Sequence, residues 1–485
     1  MDRLIQSALA ALALATLVHL AQVIARAYNS DLRRIPGPVL NRFTTLPLKL
    51  RVLSGRRTHY IHALHKIYGP VVRIAPFEVS FSDMRAHREI HKVGTQFIKA
   101  PWYQNQMPGQ HSDELTGVFG VRDPKKAIAR RKLFQMAGSL TTVLEWEPLI
   151  VDIIKQTVQE IKQEGRQGVV DLMKWWQLMA ADVVGTLAFG EPFRLVEKGQ
   201  KSEFIENVEA STLYVGLRLE LPWIMNAFQY IPLPPVGRPA DMLKRYVSNG
   251  QKAVQNSKAA AKGGIKTLFS KMVPEEGEAP LPDFLVAIES ANVIVAGTDT
   301  TATLLTWLVY AVLKNPSVKR RLLDELDSCP QAPDWEILQA QTYMQNVIAE
   351  TLRWMPPIPG PLFRQTPAGG AVLAGYAIPG ETVVETQAYT MHHNPDVWED
   401  PDNFNPDRWN HVTQEMKDSF FPFGGNARTC VGQNIARLEI VHAVSTFFRE
   451  CPDAKLADSV TSESMDFIDY FAIKPVGGKL EIDLT

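Results

Sequence analysis

Cysteine is scarce, with Cys329, Cys430 and Cys451 the only three in 485 residues. An odd and sparse set builds no disulfide framework and points to a reducing compartment. Net charge is scarce too: 51 basic against 52 acidic side chains leave −1, so no global field favours nucleic acid or an anionic surface. Internal repeats are absent, and no Gly-x-Gly-x-x-Gly follows a strand-like segment, which argues against a built-in nicotinamide or flavin domain. Low complexity is confined to the polar stretch from about Gln251 to Glu278, which reads as a surface connection. At roughly 150 residues per domain the length allows several domains or one large one, and no composition shift divides the chain.

Long apolar runs are present at the N-terminus. Leu4 to Ile24 is nearly uncharged and is followed by Arg26, Arg33 and Arg34, then Pro36 and Pro38. That length fits a membrane-spanning helix better than the shorter core of a cleaved signal peptide, and the arginines put the remainder on the cytosolic side. The expected organisation is an anchor over 1–27, a proline-hinged linker over 28–40 and one catalytic domain over 41–485. Helical periodicity dominates that domain. In Pro148 to Gly165, Ile150, Ile153, Ile154, Val158 and Ile161 share a face opposite Asp152, Lys155, Gln159 and Lys162. Strand signals are fewer: Phe77, Val79 and Phe81 alternate with polar residues, and Glu381 to Ala388 follows the turn Pro379-Gly380. A mainly helical fold with a small β region is expected.

Three stretches carry chemistry. In FPFGGNARTCVGQ, residues 421 to 433, Gly424 and Gly425 permit close approach of the backbone to a flat ligand. Cys430 precedes a helix opening at Gly432, with Ile435, Leu438, Val441 and Phe448 inward, a position that favours thiolate. Arg428 is placed to pair with a carboxylate, as haem ligation by sulfur requires. A buried structural cysteine remains an alternative; a zinc site would need further ligands near Cys430, and His411 and His442 lie too far along the chain. Glu350 and Arg353 are i and i+3 on a helix and can form a bidentate pair. Finally, Ala296 to Thr301 puts a glycine and three threonines in a long apolar helix, a weak spot where hydroxyls either bond back to the helix or serve a reaction.

The pattern Phe423, Arg428, Cys430 and Gly432 resembles the haem-binding signature of the cytochrome P450 family, and members from filamentous fungi are the nearest in character. The resemblance implies the family's mainly α fold and heme b, with Cys430 as the axial iron ligand and Phe423 and Gly424 in the cradle. Asn426 stands where the signature has glycine, and a positive φ is expected of it. Glu350, Arg353 and Arg408 would form a structural triad, and Arg364 would pair with a haem propionate. The early-helix motif is imperfect, so Lys126, Arg130 or Arg131 would supply a second propionate partner, with Arg130 chosen. Asp299 and Thr300 would deliver protons to dioxygen. Trp102, Ala296, Pro361, Leu362 and Phe471 would line a pocket for an apolar small molecule.

The implied activity is monooxygenation in the endoplasmic-reticulum membrane. Electrons would come from NADPH-cytochrome P450 reductase, with cytochrome b5 as an auxiliary donor, and nucleic acid is not an expected partner. A haem-thiolate isomerase or dehydratase that needs no reductase, or a non-catalytic haem-binding membrane protein, are the competing readings.

Overall fold

Apolar residues at helical spacing fold as helices through most of the chain, with short strands between them. The computed structural model describes residues 2–106, 112–113, 116–135, 137–200, 203–232, 237–273 and 280–484. The helices that frame the site are α1 (Asp2–Asn29), α2 (Met84–His91), α3 (Pro124–Gln135), α4 (Glu147–Gly165) and α5 (Leu172–Phe189). They continue with α6 (Glu203–Glu220), α7 (Pro239–Lys262), α8 (Asp283–Lys314), α9 (Thr342–Trp354) and α10 (Gln433–Glu450). Strands β1 (Val71–Ala75), β2 (Glu78–Phe81), β3 (Ile98–Lys99), β4 (Arg364–Gln365) and β5 (Val383–Glu385) form one sheet in the order β1-β2-β5-β4-β3. Only β2 and β5 run parallel, with Val79 opposite Val384. β6 (Phe467–Asp469) and β7 (Ile473–Pro475) make a separate hairpin.

The core is organised on α8, which is buried nearly all round from Leu285 to Val312 and packs most heavily on α5 and α7. Its composition would suit a membrane span, but burial on every side makes it the central helix of the globule. α4 follows its periodicity: Ile150, Ile154, Val158 and Ile161 are buried and Ile153 half-buried.

The strand pattern departs from its reading. Phe77 is exposed in the turn before β2, and Ser80 is buried like its neighbours because His65 Nε2 meets its hydroxyl at 2.8 Å. Of Glu381 to Ala388 only β5 is strand, and Ala388 starts a short helix. The segment from Gln251 is not a surface connection in its first part. It continues α7, whose Ala253, Val254, Ser257 and Ala260 are buried in a stripe of small residues behind a lysine-rich face, and Leu268, Phe269, Met272 and Val273 then enter the core. Residues 274–279, with the rest of that expected connection, lie outside the described residues.

At the N-terminus, α1 runs two residues past the expected anchor, and its apolar side chains, among them Leu9, Leu12, Leu17 and Ile24, are exposed. The expected linker is built into the globule. Leu32 and Ile35 are buried against the sheet, Ala27 O accepts from Arg73 Nη1, and Pro36 O accepts from the Arg73 N–H at 2.8 Å.

Candidate active site

The loop before α10 folds as its glycines and asparagine dictate. Gly424 takes φ 72° and Asn426 takes φ 54°, the left-handed conformation expected of a residue standing in for glycine. These turns let the Cys430 N–H reach Phe423 O at 2.8 Å and leave the cysteine exposed into a cavity of about 400 Å³. Gly432 caps α10. Burial nevertheless pushes the Cys430 thiol up, and the Gly432 N–H and the Arg131 charge oppose this less strongly. The Gly432 N–H at the helix start works toward thiolate, and a bound metal cation would add to it.

Buried cations mark one side of the cavity. Lys99, Arg364 and Arg428 all line it, and none makes an ion pair among the described residues. Burial, reinforced by Arg364 and Arg131, lowers Arg428 to about 10. Burial and the same arginines hold Lys99 well below the usual range for lysine. Arg428 donates to the carbonyls of Val121 and Arg122, Lys99 to Phe119 O, and Arg364 to Phe363 O. Uncompensated positive charge beside an apolar void fits a flat apolar ligand carrying carboxylates. The site thus matches haem: a thiol facing the cavity, glycines that leave room, and cations for two propionates. Lys99 was missed in the sequence, although a lone lysine in FIKAPWY was a usable signal.

Arg130 turns elsewhere. Its Nη1 pairs with the buried Glu289 of α8 at 3.0 Å, whereas Arg131, one residue and about 100° further round α3, carries its charge toward Cys430 and Arg428; neither arginine is among the residues that line the cavity. Lys126 is exposed.

Glu350 and Arg353 meet on α9 with no solvent exposure. All five Arg353 donors are used: Nε and Nη2 on the two Glu350 oxygens at 2.9 and 2.8 Å, and the rest on the carbonyls of His392, Pro401 and Asn403. Arg408 Nε adds to Glu350 Oε1 at 3.0 Å and Trp409 Nε1 to Oε2 at 3.0 Å. A charge group this completely bonded resists disruption. It reaches the cysteine loop through His392, whose Nε2 accepts from the Phe421 N–H at 3.1 Å. Burial and Arg353 lower His392 to about 3, which keeps that nitrogen an acceptor.

On α8, Ala296, Asp299 and Thr300 line the same cavity. The helix continues unbroken through them, and Thr300 Oγ1 donates back to Ala296 O at 2.8 Å. Asp299 is buried, takes the Thr212 hydroxyl on Oδ2 at 2.5 Å, and has no partner for Oδ1 among the described residues. Leu362 and Phe471 also face this cavity, while Trp102 and Pro361 line a smaller adjoining one that shares Phe471.

The cytochrome P450 family model matches residues 36–480. The chain is 35% identical over 470 residues to the cytochrome P450 monooxygenase tazI of Aspergillus terreus, covering 95% of each chain. It is 36% identical over 468 residues to stcB of Emericella nidulans, 94% and 89% covered, and 34% identical over 479 residues to aflV of Aspergillus parasiticus, 93% and 90% covered; both are also named cytochrome P450 monooxygenases. With its thiol-walled cavity and cationic rim, this chain is a member of the cytochrome P450 family, an oxidoreductase of the monooxygenase kind with a haem-thiolate iron cofactor.

Proposed function

We propose that the Cys430 sulfur would hold the haem iron and that the enzyme inserts one atom of O₂ into a C–H bond of a small, largely apolar metabolite. The observation that carries this reading is the cysteine exposed into a cavity whose rim holds Lys99, Arg364 and Arg428 without acidic partners among the described residues. Bound haem supplies the oxygen-activating redox chemistry, made more effective by electron donation from the thiolate. The protein's own groups do the rest. Arg364, Arg428 and Lys99 would hold the haem carboxylates, Phe423 and Gly424 would help to cradle the group, and the Glu350, Arg353 and Arg408 triad fixes the loop through His392. Phe119, Val295, Leu362 and Phe471 keep water from the reacting carbon. The Thr300 hydroxyl and the Asp299 carboxyl hold and pass the two protons that O₂ reduction consumes.

Electrons come from NADPH-cytochrome P450 reductase at the endoplasmic-reticulum membrane, with α1 as the anchor and the catalytic domain in the cytosol. The exposed apolar surface of α1 supports that placement.

The reduced protein under carbon monoxide tests the ligand assignment. We expect a Soret band strongly red-shifted by thiolate in the wild type and absent in Cys430→Ser; a variant that keeps the band overturns it. Turnover with a hydroperoxide but with no reductase and no O₂ would favour the isomerase reading.

A further inference from the structure

Glu289 is a buried acid of α8 that the proposed reaction does not use. Two donors meet on its Oε1, the Val118 N–H at 2.8 Å and Nη1 of Arg130 from α3 at 3.0 Å. The same Arg130 nitrogen reaches Thr116 O at 3.4 Å. The two charges therefore grip one stretch of backbone, Thr116 to Val118, at both of its ends. Gly117 lies between these contacts, and a Cβ there would stand 2.5 Å from Asn292 Nδ2 and 2.8 Å from Glu289 Oε2. Without one, the loop backbone rests directly on α8.

The residue after this clamp is Phe119. Its ring lines the cavity and packs on Tyr103, Phe471 and Trp102 at centroid distances of 5.2, 5.5 and 6.4 Å. Its carbonyl accepts from Lys99 at 2.6 Å. Phe471 also lines the smaller adjoining cavity, so this ring contact stands on the side where the two spaces neighbour each other. Burial pushes the Glu289 carboxyl up to about 7, against the pull of Arg130 and the Val118 N–H, and no other charge acts on it among the described residues. A buried ion pair adds little net stability over apolar side chains of the same volume, yet losing one partner is costly. What this pair supplies is position.

We propose that Glu289, with Arg130, is a positioning residue for substrate selection: the pair clamps the 116–118 backbone onto α8 and so holds the Phe119 ring as a fixed limit on the width of the substrate space. This rests on the reading of the cavity as the site of haem and substrate. It adds to that reading a determinant of specificity that touches no substrate. A ligand too wide for the clamped ring is rejected by the cost of breaking a buried charge pair, not by contact with either charge.

Spectral titration of the full-length holoenzyme at about pH 8, where Glu289 is ionised, tests this with imidazole as a small iron ligand and clotrimazole as a wide one. Glu289→Leu removes the acid, Gly117→Ala pushes the loop off α8 from the other side, and Phe119→Ala removes the limiting ring. Each should shift the preference toward clotrimazole by about five-fold or more, with imidazole affinity held within about two-fold. Glu289→Gln keeps an acceptor for the Val118 N–H and should shift it less. Amide exchange gives a second readout: the 116–121 backbone should exchange faster in Glu289→Leu and Gly117→Ala, while α5 stays as protected as in the wild type. The reduced carbon monoxide band of each variant reports that its haem site is intact. A preference left unmoved by Phe119→Ala or by both clamp variants overturns the proposal, no binding of either azole included, and so does unchanged exchange over 116–121. Neither readout needs turnover, so a protein that selects ligands this way but oxidises nothing with a reductase refutes the monooxygenase reading and leaves the clamp standing.

Discussion

Asn426 combines two roles that a glycine could only half fill. Its backbone sits at φ 54°, and its Nδ2 donates to His91 O at the end of α2 at 2.7 Å, tying the cysteine loop to a helix more than 300 residues earlier. Asn426→Gly should keep the turn and lose about 1 kcal/mol of hydrogen bond, whereas Asn426→Ala should lose the bond and a further ~1 kcal/mol for a left-handed alanine. Thermal denaturation of the reduced carbon monoxide complex, followed at the thiolate band, should therefore rank wild type above glycine above alanine. An alanine variant as stable as wild type would show that neither role matters. The φ was legible in the sequence because it depends on one residue's own sterics. The pairing of Arg130 with Glu289 was not, because adjacent positions on α3 differ only in direction and the partner comes from α8.

For the elements, the glycine of α8 has a packing reason beyond any weakness in the helix. A Cβ at Gly297 would stand 2.5 Å from Val184 Cγ2 on α5, so the closest approach of the two central helices needs a residue without one. Gly297→Ala should gain about 1 kcal/mol of helix propensity but lose about 1 to 3 kcal/mol to overpacking. In a Val184→Ala background the clash disappears, and the same change should become neutral or stabilising by up to about 1 kcal/mol. Denaturant melts of the four proteins measure this; additive effects would mean that the helices move apart freely. Element reading succeeded where one face was strongly apolar, as in α4. It failed over residues 251–262, where the buried stripe of α7 is alanine and serine around a single valine, too little to stand out against the lysines opposite.

At the scale of the molecule the question is where the proposed anchor ends and the enzyme begins. Composition located the apolar run correctly, since a run of exposed leucines needs no tertiary partner to be recognised. It could not reveal that the following segment packs, because Leu32 and Ile35 gain their burial from strands more than 30 residues later, and the prolines suggested a stiff hinge outside the globule. Two truncations separate the roles. Removing residues 1–24 takes away exposed apolar surface and keeps the Ala27 carbonyl on Arg73, so the protein should leave the membrane pellet with an unchanged carbon monoxide spectrum and a nearly unchanged melting temperature. Removing residues 1–36 also strips two buried aliphatic side chains, worth about 1.5 to 3 kcal/mol each, and the Pro36 bond to the Arg73 N–H, worth about 1 kcal/mol. That protein should melt measurably lower and expose the sheet face at Val71 and Val79. Equal stability of the two would return residues 28–36 to the status of a tether, while a stability loss already in the shorter truncation would mean that α1 itself belongs to the fold.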